Sequence, residues 1–306
     1  MPGKTIEIVE VGVRDGLQNE PQVFPTPKKL TLIEDLIAAG VKRLEVASFV
    51  RPGRVPQMAD AEEITALLPA LDGTTYIGLV LNMKGLERAL KTERLDEIGC
   101  VAAASDAFGQ NNQGQTSAES VEISKQIITA AKAAGRSAQV TVSAAFGCPF
   151  EGLTPVSKVI DIIASLAEAG PGEIAIADTI GAAVPNHVTE VFELAKEAAP
   201  GIPLRGHFHN TRNTAVANSW AAYQAGARII DASIGGLGGC PFAPKATGNV
   251  ATEDITFMFE RSGVKTGLDL DQLIAITTWL ETELGRSLPA MVSRAGPFPT
   301  KDNQSS

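Results

Sequence analysis

The chain has 306 residues, of which 44% are hydrophobic and 20% are charged. This is the composition of a globular protein with a large buried core, which excludes a disordered chain, a collagen-like chain and a small disulfide-stapled scaffold. Lysine and arginine total 26, whereas aspartate and glutamate total 35, so the formal net charge is −9. An acidic chain has no long-range attraction for nucleic acid or anionic lipid, so we expect neither as a partner.

The three cysteines, Cys100, Cys148 and Cys240, lie far apart and show no CxxC spacing. They predict neither a disulfide framework nor a zinc site, and they fit a reducing compartment. The N-terminus enters a strand pattern at Ile6 without an apolar signal region, and no segment reaches the roughly 18 apolar residues that a membrane span needs. We therefore expect a cytoplasmic protein with no membrane partner.

Short runs rich in β-branched residues alternate with longer helical patterns along the chain. The predicted strands are 6–13, 43–49, 75–81, 98–103, 139–145, 173–177, 204–209 and 229–234. The predicted helices that follow them in turn are 27–39, 60–68, 84–91, 118–134, 155–169, 185–198, 215–225 and 252–262. Parallel neighbours need a crossover helix between them, so eight such units predict an α/β protein with a closed (β/α)8 TIM barrel rather than an open sheet.

One more amphipathic helix, 268–284, follows the eighth unit, and the stretch after it contains Pro, Gly, Ser and Asn with little to bury. No linker rich in Pro and Ser interrupts the chain before that stretch. We therefore predict a single barrel domain over 1–285, which includes the additional C-terminal helix, and a flexible tail over 286–306.

Polar residues at the carboxyl ends of the predicted strands are candidates for function, because active sites of this fold lie there. The first strand ends in Arg14 and Asp15, directly after an apolar run. The second strand contains Glu45, although a parallel strand should be apolar on both faces. A carboxylate at that position must be paired with a cation, neutralised or bound to a metal.

The seventh strand carries the strongest single signal, because His207 and His209 are two of only three histidines. Residues two apart on a strand point to the same face, roughly 6.6 Å apart, so both imidazoles can face one metal ion. The alternative is that both histidines are core residues bonded to backbone groups. Asp15 and Asn249 disfavour this alternative, because they add oxygen donors on the same face of the barrel. Such a donor set suits Mg²⁺ or Mn²⁺ and also accepts Zn²⁺ or Co²⁺.

A glycine-rich segment, 235–239, follows the eighth predicted strand. Its spacing matches neither the GxGxxG fingerprint nor the P-loop. A backbone of this kind can move and can approach a ligand closely, so we interpret the segment as a hinged loop that carries Cys240 over the mouth of the barrel.

Six stretches taken together resemble the 3-hydroxy-3-methylglutaryl-CoA lyase family. The matching stretches are 9–20, 48–50 with 55–60, 147–152, 178–181, 236–242 and 248–254. They extend over nearly the whole chain, and their conjunction is specific. The family belongs to the TIM-barrel metallolyase superfamily, which also contains the isopropylmalate and homocitrate synthases.

The resemblance implies a set of site residues. The implied ligands of a divalent cation are Asp15, His207, His209 and Asn249. Arg14 would stabilise the thioester oxygen as it becomes an enolate, Glu45 would be a catalytic carboxylate, and Cys240 would be the loop thiol. Asp15 and His207 thereby count among the catalytic residues as well as the metal ligands. Gln18, Ser48 and Asp178 match further active-site positions and are expected to bind the substrate.

The implied reaction cleaves a 3-hydroxyacyl-CoA between C2 and C3, most simply 3-hydroxy-3-methylglutaryl-CoA to acetyl-CoA and acetoacetate. The C3 hydroxyl loses a proton, C3 becomes a carbonyl, and acetyl-CoA leaves as its enolate. A divalent cation acidifies that hydroxyl, and a carboxylate or a histidine accepts its proton. The enolate oxygen needs a fixed positive partner, which Arg14 supplies because it is always charged.

The chain departs from the family pattern after the seventh strand. The family reads HxHDTYG there, whereas this chain has Asn210 and Arg212 at the aspartate and tyrosine positions. Arg212 places a cation near the acyl end, so we expect it to bind the free carboxylate of the substrate. The acyl group therefore stays open, and citramalyl-CoA, which gives acetyl-CoA and pyruvate, is the alternative substrate.

Two other classes compete with an acyl-CoA lyase. A condensing synthase uses the same carbon–carbon chemistry, but such enzymes generally carry a large C-terminal regulatory region, and few residues follow the last predicted helix. A non-catalytic barrel used for binding would not need the arginine, carboxylates, histidines and asparagine together. We expect a small-molecule acyl-CoA substrate as the partner, and a homo-oligomer.

Overall fold

A computed structural model of the chain describes residues 4–239 and 248–299. Eight parallel strands close into a barrel in chain order, and the first strand pairs with the last. The strands are β1 (Glu7–Glu10), β2 (Arg43–Ser48), β3 (Thr75–Leu79), β4 (Glu97–Ala103), β5 (Ser137–Ser143), β6 (Glu173–Asp178), β7 (Leu204–Phe208) and β8 (Ile229–Ala232). This topology confirms the predicted (β/α)8 TIM barrel.

Helices connect the strands and surround the barrel. They are α1 (Thr26–Ala38), α2 (Ala61–Leu67), α3 (Met83–Ala89), α4 (Asp106–Gln113), α5 (Ser117–Ala133), α6 (Val156–Ala167), α7 (Pro185–Ala198), α8 (Ala215–Gln224), α9 (Thr252–Arg261), α10 (Leu270–Leu284) and α11 (Val292–Ala295). The predicted additional C-terminal helix is α10. The sequence pattern missed α4, because its mostly polar sequence has no apolar periodicity. In the described parts of the chain, no helix is both long and apolar enough to cross a membrane.

The main core lies between the sheet and the surrounding helices. In α6, for example, Val159, Ile162, Ile163 and Leu166 recur at three- and four-residue spacing and are all buried. Such a stripe faces the strands, and full burial of each side chain contributes about 1.5–3 kcal/mol. The interior of the barrel differs from this outer core, because charged side chains from several strands are buried inside it.

Several predicted strands continue too far toward their carboxyl ends, and the first and the last of them include residues that form helical turns. The first was expected to reach residue 13, but β1 ends at Glu10, and Gly12–Gly16 forms one π-helical turn. The carbonyl oxygen of Val11 accepts the N–H groups of the residues at positions 14, 15 and 16. The last predicted strand likewise ends at Ala232, and Ile234–Gly236 forms a 3₁₀ turn. Apolar side chains fill the core in a turn as well as in a strand, so their pattern alone does not show where the strand stops.

The chain after α10 returns to the barrel. Leu288 and Ala290 are buried, and the backbone N–H of Ala290 donates to the carbonyl oxygen of Gly235 at 3.2 Å. The described part of this segment therefore packs beside the glycine-rich loop. The predicted flexibility of 286–306 stays a prediction, and residues 300–306 lie outside the described chain.

Candidate active site

A cavity of about 340 Å³ opens at the carboxyl ends of the barrel strands. The residues that line it come from strands on opposite sides of the barrel and from the loops that follow them. The sequence-predicted residues among them are Arg14, Asp15, Gln18, Glu45, Ser48, His207 and His209. The structure therefore brings most of the predicted site residues to one place.

Asp15, His207 and His209 form a cluster beside this cavity. One donor atom from each residue lies within 4.8 Å of the others. The two histidines share a strand face, as expected for positions two apart, and the π-helical turn after β1 directs Asp15 toward them. Largely buried imidazole and carboxylate groups at this spacing can share one divalent cation.

Asn249 joins Asp15, His207 and His209, although it lies 40 residues beyond His209 along the chain. We call these four residues the metal-ligand cluster, after the role for which they are candidates. Asn249 and His209 are joined by an isolated β-bridge, and the N–H of Val250 donates to the carbonyl oxygen of Phe208 at 2.9 Å. The side-chain Nδ2 of Asn249 donates to Asp15 Oδ2 at 2.7 Å. Gly238 lets its loop pass close to the side chain of Asn249, since a Cβ atom at position 238 would lie 2.7 Å from Nδ2 of Asn249.

The surroundings of the Asn249 Oδ1 atom indicate whether these side chains fit a metal ion. This oxygen is buried, and it has no hydrogen-bond partner among the described residues. A buried polar atom left unpaired costs about 1–3 kcal/mol. A cation bound beside Asp15 and the two histidines would satisfy it. The two imidazoles, one carboxylate and one amide oxygen therefore fit a divalent cation.

Arg14 links the metal-ligand cluster to Glu45. Its guanidinium donates to both carboxylate oxygens of Glu45 at 2.8 Å, and to Asp15 Oδ1 at 2.7 Å. Burial alone would lower the pKa of Arg14, but the two carboxylates raise it above its ordinary value. Arg14 is therefore a permanent positive charge that is fixed in position at the edge of the cavity.

Asp15 stays ionised in this environment. Burial would raise its pKa, but Arg14 and the two histidines lower that pKa to about 2. Gln18 also donates to Asp15 Oδ1 at 3.1 Å. An anionic carboxylate is the form that binds a cation, so the surroundings of Asp15 suit this role.

Ser48 lies on another wall of the cavity, at the end of β2. Its side-chain oxygen is fully buried and has no hydrogen-bond partner in residues 4–239 or 248–299. The apolar side chains of Leu79, Leu81 and Val101 line the same cavity. The cavity thus combines a charged region around the metal-ligand cluster with a wall that carries apolar side chains.

The structure does not bring Asp178 and Arg212 to the cavity. The carboxylate of Asp178 accepts the backbone N–H groups of Ala182 and Ala183 at 2.8 and 2.9 Å. Arg212 is exposed, and its guanidinium donates to the carbonyl oxygens of Ile180 and Gly181. The expectation that Arg212 faces the substrate is therefore not met in this structure, because a tight turn after His209 directs it toward the β6–α7 loop. Cys240 lies outside the described residues.

The sequence reading missed Asp231, which lies on β8 below the metal-ligand cluster. Its Oδ2 atom is 3.0 Å from Nδ1 of His207. Burial would lower the pKa of His207, but the hydrogen bond to Asp231 raises it. The signal that identified Glu45, a charged residue within a buried parallel strand, was also present at Asp231 and at Arg205.

Together, the barrel and the cluster define an enzyme of the (β/α)8 class with a candidate divalent-metal centre at the carboxyl ends of its strands. The HMGL-like family model matches residues 5–279. The chain belongs to this HMGL-like family, which confirms the family resemblance.

Named relatives agree with this assignment. The chain is 42% identical over 304 residues to the (R)-citramalyl-CoA lyase of Chloroflexus aurantiacus, with 96% of each chain covered. It is 40% identical over 287 residues to the hydroxymethylglutaryl-CoA lyase YngG of Bacillus subtilis, with 94% of this chain and 96% of that protein covered. An HMG-CoA lyase from Acinetobacter baumannii, solved with coenzyme A and 3-methylmalate, superimposes with a TM-score of 0.91 at 37% identity and covers 97% of this chain and 98% of its own. These relatives indicate a carbon–carbon lyase and confirm the predicted enzyme class.

Proposed function

We propose that the protein cleaves 3-hydroxy-3-methylglutaryl-CoA between C2 and C3, with a divalent cation, to give acetyl-CoA and acetoacetate. The proposal rests on one cavity that joins the metal-ligand cluster to the Arg14–Glu45 pair. Relatives named for this activity cover nearly the whole chain. The coenzyme A bound to the Acinetobacter relative supports an acyl-CoA as the substrate class.

We assign the cation to the ligands Asp15, His207, His209 and Asn249, with Mg²⁺ or Mn²⁺ as the ion. Oxygen and imidazole donors without a thiolate are the ligands that suit these ions. When bound, the cation would act as a Lewis acid that lowers the pKa of the C3 hydroxyl. The free Oδ1 atom of Asn249 supports this ligand set.

The remaining chemistry falls to side chains around the cluster. We assign acceptance of the C3 hydroxyl proton to Glu45, which lines the same cavity as the ligand cluster, whereas His207 contributes as a ligand of the cation. As the C2–C3 bond breaks, its electron pair moves into the enolate of acetyl-CoA, and Arg14 stabilises the oxygen of that enolate. Because Glu45 and Asp15 already hold the guanidinium in place, no reorganisation is needed at that moment. We assign the return of a proton to C2 to Cys240, which follows the glycine-rich loop in sequence.

Substrate binding is assigned to residues at the cavity wall. Ser48 has a buried hydroxyl available for a polar group of the acyl chain, and Gln18 contacts Asp15 beside the cation site. Asp178 supports the loop that carries Thr179 to the cavity, so we place its role in shaping the site. Arg212 remains a candidate for an indirect effect on substrate selectivity, through its contacts with the same β6–α7 loop.

Citramalyl-CoA is the second candidate substrate, because a lyase for that thioester shares 42% of the residues over almost the full length. Incubating the metal-loaded protein with both thioesters and identifying the keto products by mass spectrometry separates the two. Acetoacetate with the higher kcat/KM supports the proposal, whereas pyruvate with the higher kcat/KM assigns the second substrate. No cleavage of any 3-hydroxyacyl-CoA in a panel would contradict the lyase function.

We further propose that the protein works in the cytoplasm, in keeping with its widely spaced cysteines, and that it is a homo-oligomer. Light scattering coupled to size-exclusion chromatography measures the oligomeric state directly. A mass equal to the 32.0 kDa of one chain would contradict it.

A further inference from the structure

Two charged side chains lie inside the barrel directly below the metal-ligand cluster. Asp231 and Arg205 are 4% and 2% exposed, although no part of the proposed reaction uses them. Oδ2 of Asp231 is 3.0 Å from Nδ1 of His207, and Oδ1 is 3.2 Å from Nε of Arg205. Burying charges this deeply is costly, so their arrangement calls for an explanation.

The backbone defines which side chains meet. Asp231 on β8 is the direct pairing partner of His207 on β7. Arg205 precedes His207 by two positions, so both side chains point to the same face of β7. The guanidinium of Arg205 is anchored in turn by Glu173 at 3.1 Å and by Gln139 Oε1 at 2.6 Å.

The contact with Asp231 selects one form of the His207 ring. A carboxylate accepts hydrogen bonds and cannot donate them, so the hydrogen in this contact belongs to Nδ1. The neutral imidazole then carries its lone pair on Nε2. That nitrogen is the one left to coordinate a metal, which is the arrangement of carboxylate–histidine–metal triads.

We propose that Asp231, held in place by Arg205, is a positioning residue that fixes the tautomer and orientation of His207 for metal binding. The inference rests on the proposed divalent-metal site and adds to it the residue that prepares one of its ligands. Asp231 is not one of the four proposed ligands and acts through the ring of His207.

The tautomer can be measured in the wild-type protein without added metal. The chain has three histidines, so uniform ¹⁵N-histidine labelling gives few ring signals, and His187→Gln and His209→Gln variants assign them. At an alkaline pH at which the rings are neutral, we expect His207 to show a protonated Nδ1 and an unprotonated Nε2. The Nε2 signal should shift when Mg²⁺ is added. A His207 ring protonated at Nε2 would overturn the inference.

Affinity for Mn²⁺, measured by calorimetry on the metal-free protein, gives a second readout. Asp231→Ala should weaken binding about 10- to 100-fold, the range seen when such supporting groups are removed. Asp231→Asn keeps the volume and one acceptor oxygen, so it should retain part of the affinity and show a mixture of tautomers. Glu97→Gln is the matched control, because Glu97 is also a buried carboxylate and pairs with Arg43 rather than with Arg205.

The outcomes separate this inference from the function on which it rests. Absence of Mn²⁺ binding by the wild-type protein would contradict the metal site itself. A different result would overturn only the role of Asp231. In that case the wild type binds Mn²⁺, and the Mn²⁺ affinity of Asp231→Ala is unchanged or is weakened only as much as that of Glu97→Gln. If Asp231→Ala does not fold, Asp231→Asn and the wild-type tautomer still decide the question.

Discussion

The barrel holds one buried charge cluster at each end, and the two are built differently. At the amino ends of the strands, Arg43 donates to Glu97 at 2.7 and 3.0 Å and to Glu173 at 2.8 Å. At the carboxyl ends, Arg14 pairs with Glu45 and Asp15 at similar distances. Both clusters therefore contain a guanidinium shared by two carboxylates.

The difference lies in what surrounds each cluster. The lower cluster gains a second guanidinium, from Arg205, so Glu97 and Glu173 are both paired with cations. The upper cluster instead adjoins two imidazoles, and buried oxygens of Asn249 and Ser48 lack partners within the described chain. Ion-paired charges are typical of a structural element, whereas polar groups without partners beside a cavity are typical of a binding site.

Removing one ligand of the upper cluster should have the largest effect. We expect His209→Ala to lower kcat/KM by roughly a thousandfold or more, because a bound metal supplies several kcal/mol and each 1.36 kcal/mol is a factor of ten. Far-UV circular dichroism should show an intact fold. Near-normal turnover of this variant, or of wild-type protein treated with a chelator, would argue against the metal.

Matched glutamine substitutions compare the two clusters directly. Glu45→Gln should lower kcat by roughly 10²- to 10⁴-fold, the range for lost acid–base catalysis, with a smaller loss of stability. Glu97→Gln should leave kcat within about threefold but reduce the free energy of unfolding by about 2–3 kcal/mol, because Arg43 loses one buried partner and keeps Glu173. Chemical denaturation and steady-state kinetics on both variants measure the two effects. If both variants lost activity and stability to the same extent, the proposed difference between a structural cluster and a catalytic cluster would be contradicted.

Glu10 is a buried carboxylate that belongs to neither cluster, and all of its hydrogen-bond partners are neutral. It accepts hydrogen bonds from the N–H groups of Gly12 and Ile234 and from the hydroxyl of Thr252. Burial raises the pKa of Glu10 from 4.5 to about 7 despite these bonds.

The folded state therefore binds more protons at Glu10 than the unfolded state between about pH 4.5 and pH 7. Stability from this group is greatest below that window and decreases as the pH rises through it, by on the order of 3 kcal/mol. Glu10→Gln should remove this decrease, which is measured as the difference between the urea unfolding curves of the two proteins across the window. Parallel pH profiles would show that Glu10 does not titrate there.

The smallest effect is expected at Arg212. Because its guanidinium contacts the carbonyl oxygens of Ile180 and Gly181 outside the cavity, Arg212→Gln should change the ratio of kcat/KM for the two candidate thioesters by less than about threefold. A shift of tenfold or more would mean that Arg212 binds the substrate carboxylate in another conformation of the loop.

The sequence supported the fold well because strand and helix patterns alternate eight times, and each unit is visible locally. It placed Asp15 and the two histidines at the cavity, because polar side chains stand out at the carboxyl-terminal side of apolar runs. The ends of β1 and β8 were less predictable, because valine and isoleucine pack equally well in the turns that follow. Asp231 was missed because its partner His207 becomes a neighbour only when β7 and β8 pair.

The most direct test of the metal centre is the position of a bound ion. Crystals grown with Mn²⁺ and measured at the manganese absorption edge would show it as an anomalous peak. We predict one strong peak within coordination distance of Asp15, His207, His209 and Asn249. A peak elsewhere on the molecule, or none at saturating Mn²⁺, would contradict a divalent-metal centre at the carboxyl ends of the strands.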